Sequence, residues 1–234
     1  MIFVLLHGGA HGGWSWERLE ACLQARGHGV ICPTLPMDDE GADVRRWAHV
    51  ACERLDGLNC REIVVVGHSA AGLVLPVIAT MRPVARMVFV CAVVPLPGRR
   101  HIECLGDPPS AITLPPNRLD FDAHGRMIVP WATAREFYYH DCDEIVARVA
   151  WMRLCPFAQT IWGDVSPIDV WPDTPSSYVM GKFDRSLSPD YSRRISHDVL
   201  DVEPLELKSG HSPMLSCPGD LAAALDSLVR PSSC

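Results

Sequence analysis

The sequence predicts an α/β protein: a mostly parallel, twisted sheet with helices on both faces and a short inserted cap. Three observations lead there. Apolar β-branched runs alternate with helix-like segments over residues 1–94. The same alternation resumes over 176–234. Between them, residues 95–175 break the pattern with dense prolines and clustered aromatics. The 234 residues suffice for one such unit with a full core. The expected division is therefore a core of 1–94 and 176–234 with a cap of 95–175.

The elements follow in order. Ile2–Leu6 is an apolar run that ends at His7, too short and too lacking in basic residues for a secretory leader, and it reads as the first buried strand. Residues His7 to Gly13 form a loop with four glycines. Trp14–Arg26 has helix-forming composition, with Leu19, Cys22 and Leu23 on one face and Gly27 as a stop. A short strand is expected at Gly29–Cys32, then a loop over Pro33–Gly41. A helix over Ala42–Leu55 carries Val44, Trp47, Ala48, Ala51 and Leu55 at helical spacing.

Ile63–Val66 is a buried strand that runs into Gly67-His68-Ser69-Ala70-Ala71-Gly72 and then a helix closed by Met81-Arg82-Pro83. Arg86–Ala92 is the next strand. In the cap, helical patches are expected at Thr133–Phe137 and Asp143–Leu154. The core then resumes with strand Ser177–Gly181, helix Pro189–His197, strand Val202–Leu207 and helix Pro218–Val229.

Composition excludes several functions. Net charge is −7 with no basic run, which argues against nucleic acid as a partner. No apolar run approaches the length of a membrane span. The ten cysteines are scattered singly, without a Cys-x-x-Cys pair or a His/Cys cluster at metal spacing. They read as reduced thiols in a cytoplasmic protein, with no metal site.

The chemistry centres on Ser69. A strand that turns sharply into a helix lifts one side chain clear of the sheet, and small neighbours let strand and helix approach. A serine hydroxyl needs a base oriented by a carboxylate. His211, in the loop after the last strand, is the candidate base. Asp184, just past the preceding strand, is the candidate carboxylate, with Asp164, Asp169 or Asp173 replacing it if strand placement is off by one element. Loops after parallel strands open on one edge, so the three converge. Backbone N–H groups of Gly9 and Ala70 are the candidate oxyanion donors. His68 is expected to pack or orient the elbow, pointing away from the site. Trp131, Tyr138 and Trp151 of the cap, with Gly8, are the candidate substrate contacts. The glycine loop lacks Gly-x-Gly-x-x-Gly and a Walker lysine, which argues against a nucleotide.

His7-Gly8-Gly9-Ala10-His11-Gly12-Gly13-Trp14-Ser15-Trp16, Gly67-His68-Ser69, and the stretch from Gly210-His211-Ser212 to Pro218 together resemble the α/β-hydrolase superfamily, nearest its methylesterase and hydroxynitrile-lyase branch, which includes plant methyl salicylate esterases. The order Ser, Asp, His is the order of that fold. The resemblance implies Ser69 as nucleophile, His211 as base, Asp184 as acid, Gly9 and Ala70 as oxyanion donors, no cofactor, and a homodimer as an available assembly. It departs at Ala71, where the family usually has glycine, and in the proline-rich cap. The lyases of the branch carry a threonine after the first histidine and a lysine after the catalytic one; this chain has Gly8 and Ser212, which favours hydrolysis. The expectation is a serine esterase acting on a small or medium carboxylic ester. Its alternatives are a lyase, amidase or tailoring enzyme using the same residues, or a binding protein without turnover.

Overall fold

A computed structural model describes residues 1–106 and 111–230. Its sheet has six strands in the order β2-β1-β3-β4-β7-β8, with every neighbouring pair parallel. The strands are β1 (Ile2–Leu6), β2 (Gly29–Ile31), β3 (Ile63–His68), β4 (Arg86–Val90), β7 (Ser176–Gly181) and β8 (Leu205–Leu207). β3 is buried along its whole length, as expected for a central parallel strand covered on both faces.

From β1 the chain steps outward to β2 through α1 (Glu17–Gln24), then reverses through α2 (Val44–Cys52) to β3 and through α3 (Leu75–Met81) to β4. Right-handed crossovers in opposite directions place α1 on one face and α2 with α3 on the other. α1 packs against α8 (Pro218–Ser227), and α2 against α3. α6 (Pro189–Asp198) covers β7. The reversal opens a crevice at the carboxyl ends of β1 and β3, where such sheets bind ligands.

Several elements are shorter than their apolar runs. The first helix begins as a 3₁₀ turn at Gly13–Trp16, so its α portion starts only at Glu17. α2 starts after Asp43, whose carboxylate accepts the Arg46 N–H. The helix after β3 opens as a six-residue 3₁₀ stretch, Ser69–Val74, and becomes α-helical at Leu75, followed by Pro76, which has no N–H to donate. The run expected as strand Val202–Leu207 pairs only over Leu205–Leu207.

Among the described residues between β4 and β7, none belongs to a strand of the main sheet. This segment holds a two-stranded hairpin, β5 (Asp120–Phe121) with β6 (Met127–Ile128), then α4 (Trp131–Thr133), a π-helical turn Ala134–Tyr138, and α5 (Glu144–Met152). The hairpin falls where no strand was expected. Its turn is held by Asp122, whose carboxylate accepts the N–H groups of His124 and Arg126, with Gly125 at φ +76°. α7 (Pro213–Ser216) follows the loop after β8. No helix among the described residues is long and apolar enough to cross a membrane.

Candidate active site

The elbow after β3 is strained at one residue. Ser69 has φ +53°, the left-handed region that a non-glycine residue adopts at a cost of about 1–3 kcal/mol. The neighbours make that turn feasible. A Cβ on Gly67 would stand 2.7 Å from the Ala71 carbonyl oxygen, and one on Gly72 would collide with the Val93 carbonyl, three residues past the end of β4. Ala71, where the strict elbow pattern Gly-x-Ser-x-Gly has its second glycine, is fully buried. The residues that must stay glycine for want of space are therefore Gly67 and Gly72. The Ser69 carbonyl accepts the Val93 N–H at 3.1 Å, tying the elbow to β4.

Ser69, His211 and Asp184 come together as expected. His211 Nε2 faces Ser69 Oγ at 3.2 Å, and its Nδ1–H donates to Asp184 Oδ2 at 2.8 Å. Asp184 Oδ1 accepts the N–H groups of Ser186 at 2.7 Å and Leu187 at 2.9 Å, so the carboxylate is held on both oxygens. Asp184 is 6% exposed and His211 3%. With its Nδ1 proton committed to the carboxylate, the imidazole presents a bare Nε2 to the serine.

The loop after β1 lies opposite. Gly9 and Ala70 both border the cavity beside Ser69. Two donors converge on the Gly8 carbonyl: His7 Nδ1–H at 2.9 Å and the His11 N–H at 3.2 Å. That carbonyl shares its peptide plane with the Gly9 N–H, so both contacts set where the Gly9 N–H points. His7 takes this tautomer because its Nε2 accepts the Leu35 N–H at 2.8 Å. Burial lowers the His7 pKa to about 4 and that of His11 to about 3, so both are neutral at ordinary pH.

His68 departs from expectation. Its side chain borders the cavity, fully buried, and its Nε2–H donates to the His211 carbonyl at 2.8 Å. Burial first, and then the neighbouring His211 and His11, hold its pKa well below the usual histidine range. Alternation along β3 does place Ser69 and His68 on opposite sides, but Ser69 leaves the strand conformation and alternation no longer applies.

The cavity in front of Ser69 measures about 500 Å³. Its wall is mainly apolar, with Leu105, Leu114, Leu119, Phe121, Met127, Phe157 and Trp162, and no Asp, Glu, Lys or Arg borders it among the described residues. Of the expected substrate contacts, Tyr138 does border it. Trp131 and Trp151 do not. Their rings meet edge to face at 5.7 Å, Trp151 Nε1–H donates to the Val129 carbonyl, and the Arg148 guanidinium lies 3.7 Å over Trp131. They are packing residues between α4 and α5. Gly8 also lies outside the wall, since a Cβ there would stand 2.7 Å from His68 Nδ1 and 2.9 Å from the Ser69 Cβ. No group of three or more His, Cys, Asp or Glu side chains with metal-binding geometry occurs among the described residues.

A model of the alpha/beta hydrolase family matches residues 3–224. Methylesterase 7 of Arabidopsis thaliana is 28% identical over 249 aligned positions, spanning 95% of this chain and 94% of that protein. Salicylic acid-binding protein 2 of Nicotiana tabacum is 33% identical over 105 positions, covering 40% of each chain. Among solved structures, polyneuridine aldehyde esterase superposes with a TM-score of 0.83 at 19% identity, covering 98% of this chain and 99% of that one. The chain belongs to the alpha/beta hydrolase family.

Proposed function

We propose that the protein is a serine carboxylic ester hydrolase in which Ser69, His211 and Asp184 form the catalytic triad. The observation that carries this reading is the unbroken hydrogen-bond chain from Asp184 through His211 to Ser69, ending at the floor of an apolar cavity. Ser69 Oγ attacks the ester carbonyl while His211 Nε2 takes its proton. Asp184 keeps the imidazole in the Nδ1–H tautomer and stabilises the imidazolium. The Gly9 and Ala70 N–H groups receive the developing oxyanion; the doubly held Gly8 carbonyl and the orphan donors at the start of the 3₁₀ stretch support that role. His211 then protonates the leaving alcohol, and water activated by the same imidazole releases the acid from the acyl-enzyme.

Residues 95–175 act as the cap of this reading, since they supply most of the cavity wall. A wall without Asp, Glu, Lys or Arg among the described residues suits an uncharged apolar or aromatic ester. Its volume lies within the range of small-molecule sites. The lyase alternative gains no support, because a threonine at position 8 would press on His68 and Ser69. A cytoplasmic location is supported by the nine described cysteines, all unpaired. A homodimer rests on family resemblance alone.

The test is a p-nitrophenyl ester series from acetate to octanoate. The expected result is saturable turnover whose kcat/KM rises by tenfold or more from acetate to an intermediate acyl length, at about 1 kcal/mol per buried methylene. A flat series at the rate of buffer alone contradicts the assignment.

A further inference from the structure

Four consecutive residues of the segment between β4 and β7, Tyr138 to Asp141, each touch a different part of the site. The Tyr138 ring packs on the His211 imidazole with centroids 5.6 Å apart. The Tyr139 hydroxyl donates to His11 Nε2 at 2.8 Å, and His11 in turn donates Nδ1–H to the Gly9 carbonyl at 2.9 Å. His140 Nε2–H donates to the Phe183 carbonyl at 3.0 Å. The Asp141 carboxylate accepts the Gly210 N–H at 2.6 Å. Phe183 and Gly210 are the residues immediately before Asp184 and His211.

Local geometry explains how neighbouring residues reach such separate partners. Tyr138 ends, and the other three follow, the π-helical turn Ala134–Tyr138, a rare form often found at functional sites. At Tyr139 the chain leaves the helix with φ −129°, so successive side chains fan out instead of winding round an axis. The exit is pinned by the Tyr139 N–H to the Ala134 carbonyl, by the Arg135 guanidinium on the Tyr139 carbonyl, and by the Cys142 N–H to that same carbonyl. Contact with the base loop is direct, since a Cβ on Gly210 would stand 2.6 Å from His140 Nε2 and 2.7 Å from Asp141 Oδ1. The two loops are also bonded to each other, Phe183 N–H to the Ser209 carbonyl at 2.9 Å. His140 and Asp141 thus grip both ends of a joined pair of loops.

We propose that His140 and Asp141 are positioning residues that fix the Asp184 and His211 loops against each other, so that the cap holds the triad in register. This rests on the esterase reading above. The contact made by Asp141 is charge-assisted, one of the stronger kinds of hydrogen bond. A misplacement of about 1 Å in a catalytic group lowers turnover by about 10²-fold. Loss of this grip therefore acts on kcat and leaves the cavity wall, and with it KM, in place.

The experiment uses the full chain with p-nitrophenyl butyrate, comparing wild type, Ser69→Ala, Asp141→Ala and Asp141→Asn. Asp141 is exposed, so truncating it leaves the core intact. Asparagine keeps an oxygen acceptor for the Gly210 N–H. The expected result is a kcat about tenfold or more lower in Asp141→Ala, a KM within about twofold, and recovery of most of the turnover in Asp141→Asn. Wild-type kcat in Asp141→Ala overturns the proposal, as does a loss that asparagine fails to repair. Absence of Ser69-dependent turnover in wild type is a different result and removes the esterase reading. Amide hydrogen exchange over residues 208–212 then still decides the positioning role. Exchange accelerated in Asp141→Ala and restored in Asp141→Asn upholds it, and unchanged exchange overturns it.

Discussion

Asp184→Asn is expected to lower kcat by about 10⁴-fold while leaving the fold and KM nearly unchanged. The carboxylate has two jobs, and asparagine does only one. Asp184 Oδ1 accepts the Ser186 and Leu187 N–H groups, and an amide oxygen can replace it there. Oδ2 accepts the His211 Nδ1–H, and the amide NH₂ that takes its place is a donor. Facing a donor, the imidazole turns to the tautomer with a bare Nδ1 and a protonated Nε2, which cannot take the proton of Ser69. The negative charge that stabilises the imidazolium is lost as well. Steady-state kinetics on a p-nitrophenyl ester checks this, with a thermal melt to show that the variant folds. A decrease of less than about tenfold would mean that one of the other carboxylates considered from sequence, or none, orients the base.

A second large effect is expected from pH. His7 and His11 are neutral in the fold because burial holds their pKa values at about 4 and about 3, against 6.5 for a free histidine. In the unfolded chain both take up protons near 6.5, so below that pH the unfolded state binds more protons and is favoured. The stability these residues confer is complete above pH 6.5 and is lost as the pH falls from 6.5 towards their folded values. At pH 5 each has forfeited on the order of 2 kcal/mol, and His68 acts in the same direction. Against a total of about 5–15 kcal/mol this is a major fraction. Urea unfolding at pH 7 and pH 5 measures it, and the midpoint is expected to fall clearly at the lower pH. An unchanged midpoint would mean that these imidazoles are hydrated or already charged in the folded protein. Because His7 and His11 hold the Gly8–Gly9–Ala10 loop, esterase activity is expected to fail over the same acid range.

The parts of this fold that were legible in the sequence are those where a local pattern and the topology impose the same answer. Ile63–Val66 is uniformly β-branched because β3 is covered on both faces, and the small residues after it are needed where Gly72 meets the Val93 carbonyl. Ser69, Asp184 and His211 could be named because each lies just beyond a strand of one parallel sheet, whose loops share an edge.

What the sequence left hidden is set by contacts between distant residues. Trp131 and Tyr138 look equally suited to line a pocket, yet one lies beneath Arg148 and the other against His211. Side-chain direction around Tyr138 follows from a π-helical turn that no periodicity announces. The β5–β6 hairpin has strands of two residues, too short for an alternation to be seen. His68 borders the cavity because Ser69 adopts positive φ, a turn that no local pattern of residues marks. His140 and Asp141 gave no local sign of their partners, which lie 43 and 69 residues further along the chain.

Covalent labelling decides whether Ser69 is the nucleophile. Wild type and Ser69→Ala are treated with a fluorophosphonate, their masses and modified peptides are determined, and residual ester hydrolysis is assayed in parallel. A Ser69 nucleophile gives one adduct, on the peptide that contains Ser69, with activity lost in proportion to labelling. It also gives no adduct in Ser69→Ala and a kcat at least about 10³-fold below wild type. An adduct on a different residue, or a Ser69→Ala variant that hydrolyses esters as fast as wild type, contradicts it.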